Sequence, residues 1–306
     1  AEIHDEIIHF ENSAGGLATG LNSSPTSYEK HWIGWPGIYT DNSETEKELD
    51  LSLGSYNFHP VFLSEDDMEN YYEGYSNSTL WPLFHYFYIY TVHDDHYWQA
   101  YKRVNILFLE KVLEVATNRD ILWIQDYHLM LLPMIVREHL PSIRIGFFLH
   151  IPFPSYELFR TLENREEILN GLLGSDLIGF HTFNYMRHFI SALARITGIE
   201  SDDNMFHYGN RTLSVDTFPM GINYDSFYKS SRKPAVKKFT SSFRERYSDR
   251  KIILSVDRLD YSKGIPGRLE AFRLLLENNP EWTGKVSLLM ILVPSRDNVD
   301  RYNDLK

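Results

Sequence analysis

From about residue 120 onward, short apolar runs alternate with amphipathic stretches, and this rhythm limits the chain to parallel strands joined by helices. Strands are expected at Ile121 to Gln125, Ile143 to Leu149, Leu177 to His181, Leu213 to Phe218, Ile252 to Val256 and Val286 to Val293. Several of these lack polar alternation, as strands covered on both faces do. Between them, spacings near 3.6 predict helices at Leu129 to His139, Arg165 to Leu173, Phe183 to Ile196, Pro234 to Tyr247 and Pro266 to Glu277, with Gly198 and Asn279-Pro280 as stop signals. The first 120 residues differ. They hold a strand-like Ile3 to Phe10, glycine- and aromatic-rich segments, and a long helical stretch from about Leu80 to Ala116.

The fold class expected is therefore α/β. A seam is expected near Gly221-Ile222-Asn223, because a polar, basic segment (Lys229 to Lys238) there leads into a new strand-helix-strand unit. At 306 residues the chain exceeds the usual span of a single core. The stretch past the seam is too short to close a second doubly wound domain by itself.

Composition narrows the chemistry. With 30 basic and 42 acidic residues the formal charge is −12, so no overall field favours nucleic acid or an anionic membrane, and any anionic ligand needs a local basic pocket. The absence of cysteine excludes disulfides, thiolate metal sites and cysteine nucleophiles. Acids in Ala1 to Phe10 stand where a signal peptide needs a basic end and an apolar run, and no segment has the length of a membrane span, so a cytoplasmic location is the expectation. No GxxxxGK[ST], HExxH, GxSxG or strand-preceded GxGxxG is present, which disfavours phosphate-loop hydrolysis, zinc proteolysis, α/β-hydrolase chemistry and ordinary dinucleotide binding.

Four constellations remain. Gly15-Gly16 lets backbone amides approach a phosphate or sugar, although a Gly-Gly pair alone is more often a turn. The run Tyr71 to Pro82, with Tyr72 and Trp81, offers ring faces to a sugar, or forms an aromatic core cluster. Asp126 and His150 each follow an apolar strand, at the carboxyl ends where ligands of parallel sheets bind. Past the fifth of these strands, Arg258 and Lys263 stand before a glycine that opens a helix, a cradle for an anion that could equally be a salt-bridged loop with Asp257 and Asp260. Arg296 repeats the theme after the last strand.

In order along the chain, SAGGLATGL, WIGWPG, YYEGYSNSTLWPLFHY, DILWIQDYHLMLLP, IGFFLHIPFPSYELFR, LLGSDLIGFHT, MGINYDSF, VDRLDYSKGIPGRLEAF and VPSRDNV closely resemble the trehalose-6-phosphate synthase family of retaining glucosyltransferases. The resemblance implies two Rossmann-like domains of the GT-B type. Residues 1–221 would be the N-terminal acceptor-binding domain, and 222–306 the beginning of a C-terminal nucleotide-sugar-binding domain that is incomplete here. It implies transfer of glucose from UDP-glucose to glucose 6-phosphate, giving trehalose 6-phosphate and UDP with retention.

By position, Gly15, Gly16, Arg258 and Lys263 are implied donor residues, and Tyr72, Trp81, Asp126, Ile151 and Arg296 acceptor residues. The resemblance implies that His150, with Asp126, lies at the reacting sugar; in the front-face mechanism proposed for the family the leaving phosphate takes the acceptor's proton, so paired carboxylates are not required. No metal or other cofactor is implied. The implied partners are the two substrates, without nucleic acid or membrane; the resemblance leaves open a homo-oligomer or a trehalose-phosphate phosphatase partner. Two departures accompany the match. The family's Ser-Asn-Arg-type segment does not precede the glycine loop, and the sequence stops at Lys306 before further donor contacts, so a chain truncated at both ends is expected, with activity belonging to the complete protein. The alternative from another class is a non-catalytic synthase-like module, such as the N-terminal part of a trehalose-phosphate phosphatase or a regulatory subunit.

Overall fold

A computed structural model describes residues 2–4, 7–9, 28–39 and 42–293. They divide into two compact units, Ala1–Met220 and Gly221–Lys306. Gly15, Gly16 and Arg296 lie outside the described residues.

The first unit is built on a six-stranded sheet. Strands β5 (Ile121–Gln125), β6 (Arg144–Leu149), β7 (Leu177–Phe180) and β10 (Arg211–Thr217) run parallel in that order, and β9 (Met205–Tyr208) and β8 (Ser201–Asp202) extend it antiparallel. All four parallel strands fall where the apolar runs place them. Strands β8 and β9 are additions to the expected set, although Gly209-Asn210 is a hairpin signal and Gly209 takes the positive φ (60°) that such a tight loop demands.

Helices Leu132–His139, Arg165–Leu172 and Phe183–Thr197 connect the parallel strands. The last is capped at its start by the Thr182 hydroxyl and ended by Gly198 in the left-handed region (φ 74°). Phe147, Phe153, Phe159, Phe180 and Phe189 are each at most 2% exposed and fill the centre of the unit, with Phe153 and Phe189 edge to face at 5.4 Å.

Two expectations for the N-terminal region are corrected. The described residues of the stretch read as a strand over Ile3 to Phe10 form two three-residue strands, β1 (Glu2–His4) and β2 (Ile7–His9), paired antiparallel with Ile3 opposite Ile8. This local pairing supplies backbone partners that one extended strand would have to find elsewhere. The helical stretch from Leu80 to Ala116 is interrupted. A four-residue helix (Trp81–Phe84) ends before Tyr86, whose φ of 67° cannot continue a helix, and the long helix Asp95–Val115 starts anew with the Asp94 carboxylate accepting from the His96 amide.

Preceding this break, Met68–Leu80 is wound as a π-helix packed along Asp95–Val115. Gly74 is required there, because a side chain would place its Cβ 2.7 Å from the Tyr97 ring. A short parallel pair, β3 (Trp32–Gly34) and β4 (Phe58–Pro60), completes the unit with the helix Ser43–Gly54.

The second unit is one strand-helix-strand motif with two leading helices. Strand β11 (Lys251–Arg258) pairs in parallel with β12 (Val286–Val293), and Ile265–Asn278 crosses between them. Helices Tyr224–Ser230 and Pro234–Arg246 come before it, the first capped by Asn223. Among the described residues, no helix is long and apolar enough to cross a membrane.

Candidate active site

In the first unit the candidate residues gather at one edge of the sheet, outside the carboxyl ends of β5 and β6. Asp126, directly after β5, has φ 69° and ψ 172°, a region that a non-glycine residue rarely occupies and that costs on the order of 1–3 kcal/mol. Two bonds hold it there. Its amide donates to the Phe148 carbonyl at 2.8 Å, and its Oδ1 accepts from the His150 amide at 3.1 Å. Asp126 thereby ties the ends of β5 and β6 together.

The turn from Tyr127 to Met130 is anchored from below. Tyr101, fully buried in the long helix, donates its hydroxyl to the Tyr127 carbonyl at 2.7 Å and accepts from the Met130 amide at 3.0 Å. Asn105 donates to the His128 carbonyl at 3.2 Å, and the Tyr127 hydroxyl pairs with Asn77 Oδ1 of the π-helix at 2.9 Å. The aromatic segment read as either a sugar platform or core is both in part. Tyr71, Tyr75 and Trp81 are at most 5% exposed, whereas Tyr72 is half-buried and stacked on His128 at 5.5 Å and 10°. The Trp81 ring packs on His85 and Tyr127, and Ile151 is 5% exposed just after His150.

His150 follows β6 and is half-buried. Its Nε2 lies 2.8 Å from Gln125 Oε1, and its ring meets His181, which follows β7, edge to face at 5.4 Å. Phe148 contacts both imidazoles. Burial, with His181 adding a second cost to a positive charge, lowers the His150 pKa to about 4; burial lowers that of His181 as well. Both rings are neutral at physiological pH. Sequence reasoning does not single out His181 and Gln125 for the site, since only the adjacency of β5, β6 and β7 brings them to His150.

Linkage gives the sign of the resulting pH dependence. His150 takes up its proton near pH 6.5 in the unfolded chain and near pH 4 in the folded one, so its contribution is fully present above about pH 6.5 and is lost as pH falls toward 4. Urea titrations are expected to show stability falling across this window. The fall should be shallower in His150→Asn than in the wild type, and equal slopes would remove His150 as its source.

In the second unit, Arg258 ends β11 and Lys263 closes the single 3₁₀ turn Tyr261–Lys263. Asp260, fully buried, accepts from the Ser262 amide at 2.9 Å and stands 3.9 Å from the Arg258 guanidinium. Gly264, at φ 64°, turns the chain into the helix Ile265–Asn278. Asp257 is engaged elsewhere. Arg268, on the first turns of that helix, binds its carboxylate at 2.6 Å, contacts Ser255 and donates to the Lys263 carbonyl at 3.1 Å; its bond to Asp257 holds that carboxyl below its usual range. Lys263 is half-buried and acts on the nearby Asp257 carboxylate, and Arg258 is exposed, so the two cations stand beside a helix start where an anion is favoured.

The model of glycosyltransferase family 20 matches residues 2–306. The chain belongs to this family. As a family 20 chain it is similar to the UDP-forming alpha,alpha-trehalose-phosphate synthase 2 of Aspergillus fumigatus, 41% identical over 302 residues, covering 97% of the chain and 63% of that protein. Among solved structures it is similar to the N-terminal domain of Candida albicans trehalose-6-phosphate phosphatase (33% identity, TM-score 0.85, 95% of this chain and 63% of that one). It is also similar to a UDP-forming alpha,alpha-trehalose-phosphate synthase from Burkholderia xenovorans in complex with glucose-6-phosphate (31% identity, TM-score 0.83, 96% of this chain and 65% of that one). The family 20 chain thus spans less than two thirds of the length of these relatives, and the α/β architecture expected from its strand and helix rhythm is the one they share.

Proposed function

We propose that this chain carries much of the catalytic machinery of a UDP-forming trehalose-phosphate synthase, a retaining glucosyltransferase. The observation that carries the reading is the family match along residues 2–306, combined with 41% identity to a protein named for that activity. A trehalose phosphate released together with UDP is the sum of a glucosyl group from UDP-glucose and a glucose phosphate, and the Burkholderia relative carries glucose 6-phosphate. The substrates proposed are therefore UDP-glucose and glucose 6-phosphate.

The site chemistry supports these roles. Residues 1–221 would hold the acceptor, with Tyr72, Trp81, Asp126 and Ile151 around it, and 222–306 would begin the nucleotide-sugar domain. Arg258 and Lys263 would bind the UDP diphosphate and stabilise its charge as the bond from C1 to the phosphate oxygen breaks. The acceptor's anomeric oxygen forms its new bond to C1 on the same face, and its proton passes to the departing phosphate. His150, neutral, would hydrogen-bond a donor hydroxyl rather than act as a base. Gly15, Gly16 and Arg296 complete the proposed set as donor-loop and acceptor-phosphate residues.

The Candida phosphatase domain keeps the alternative of a non-catalytic module in view, because its TM-score of 0.85 is no lower than the 0.83 of the Burkholderia synthase. Fold alone does not separate the two. The presence of Arg258 and Lys263 beside the start of a helix supports the transferase reading, since two cations there suit a diphosphate. UDP release from UDP-glucose, measured in a coupled assay on the full-length protein, is expected to depend on glucose 6-phosphate. No release with it present would favour the non-catalytic module.

A further inference from the structure

We infer that Gln125 is a positioning residue that fixes the protonated nitrogen of His150, presenting Nδ1 as a hydrogen-bond acceptor to the donor sugar; the sugar half of this rests on the transferase reading above. The geometry determines the direction of the bond. The Gln125 amide has two ends. Its Nε2 lies 3.5 Å from the Trp123 carbonyl, which can only accept, so the amide nitrogen faces Trp123 and the carbonyl Oε1 faces His150. An amide oxygen also only accepts. His150 Nε2, 2.8 Å away, must therefore carry the hydrogen and donate. In a neutral imidazole the other nitrogen, Nδ1, is then a bare lone pair.

The surroundings keep the ring neutral and leave that lone pair available. The groups facing the ring are Phe148 and His181, both edge-on or tilted, and neither is anionic. The Asp126 carboxylate uses Oδ1 on the His150 backbone amide. Among the described residues, His150 Nδ1 makes no hydrogen bond. A half-buried acceptor at the carboxyl edge of a parallel sheet is suited to a hydroxyl group, which can donate to it. A phosphate oxygen, having no proton to give at neutral pH, is not. Gln125 thus makes His150 a partner for a sugar hydroxyl and not for a phosphate oxygen.

The test uses the full-length protein labelled with ¹⁵N at histidine. At pH 8 the His150 ring spectrum is expected to show hydrogen on Nε2 and a bare Nδ1, and UDP-glucose is expected to shift the Nδ1 signal in the direction of an accepted hydrogen bond. Gln125→Lys can only donate, so it should move the hydrogen to Nδ1 and lower kcat/KM for UDP-glucose by about five- to tenfold, the worth of one hydrogen bond of the usual strength, while leaving KM for glucose 6-phosphate unchanged. Gln125→Glu keeps an acceptor and should retain both the Nε2 hydrogen and most of the activity at pH 8. A wild-type spectrum with hydrogen on Nδ1 would overturn the inference, as would Gln125→Lys with wild-type kcat/KM. A full-length protein that does not turn over UDP-glucose at all would count against the transferase reading, whereas the spectrum decides the hydrogen bond independently of it.

Discussion

Replacing Arg258 with alanine is expected to weaken UDP binding by about 1.5–3 kcal/mol, the range for a hydrogen bond to a charged group. At 1.4 kcal/mol per factor of ten, that is on the order of 10- to 150-fold in Kd. Arg258 projects from the end of β11, is exposed, and has the buried Asp260 carboxylate 3.9 Å behind it. The variant loses a bidentate cation and leaves that carboxylate to repel the incoming diphosphate, so the upper half of the range is expected. Arg258→Lys should recover only part of the loss, because an ammonium restores the charge but not the planar pair of donors. Calorimetry with UDP measures both. Unchanged affinity in Arg258→Ala would remove the donor role assigned to this loop.

Arg137→Ala is expected to have the largest effect on stability, about 3 kcal/mol, the lower end for breaking a buried ion pair from one side. Its guanidinium, 8% exposed, donates to the carbonyls of Gly174, Pro141 and Ile143 and to the Asp176 carboxylate at 2.8 Å. Asp176 in turn accepts from the Ile145 amide at 2.7 Å and lies 3.9 Å from Arg211, which also donates to the Gly174 carbonyl, so Arg137 and Arg211 together fix the starts of β6 and β7. Asp176 is 39% exposed, and water reaching it once Arg137 is gone is why the lower end applies. Urea unfolding should show a lower midpoint with an unchanged slope. A midpoint within about 0.5 kcal/mol of wild type would mean that the carbonyls find other partners.

The parallel strands were legible because each is an apolar run of strand length between turn signals, and period alone separates these from the amphipathic helices that connect them. Asp126 and His150 were legible by position, as polar residues just past such runs. The Gln125–His150 bond was not, since its partners stand 25 residues apart and meet only through the β5–β6 register. The π-helix at Met68–Leu80 is hidden for a different reason. Gly74 and the polar Asn77 and Ser78 give no helical period, and contacts explain them: Gly74 makes room for the Tyr97 ring, Asn77 accepts from Tyr127, and the Ser78 hydroxyl donates to the Glu73 carbonyl. The break at Tyr86 lies inside an unbroken aromatic run, where propensity does not reveal a positive φ.

The donor and acceptor roles come together in one product. With UDP-glucose labelled with ¹³C at C1 of glucose and with unlabelled glucose 6-phosphate, NMR of the full-length protein's product tests the central claim most directly. The expected product has its labelled anomeric carbon in an α linkage to the anomeric oxygen of the phosphorylated sugar, and it forms in step with UDP. A β-linked product, or label appearing only as free glucose, would contradict the assignment.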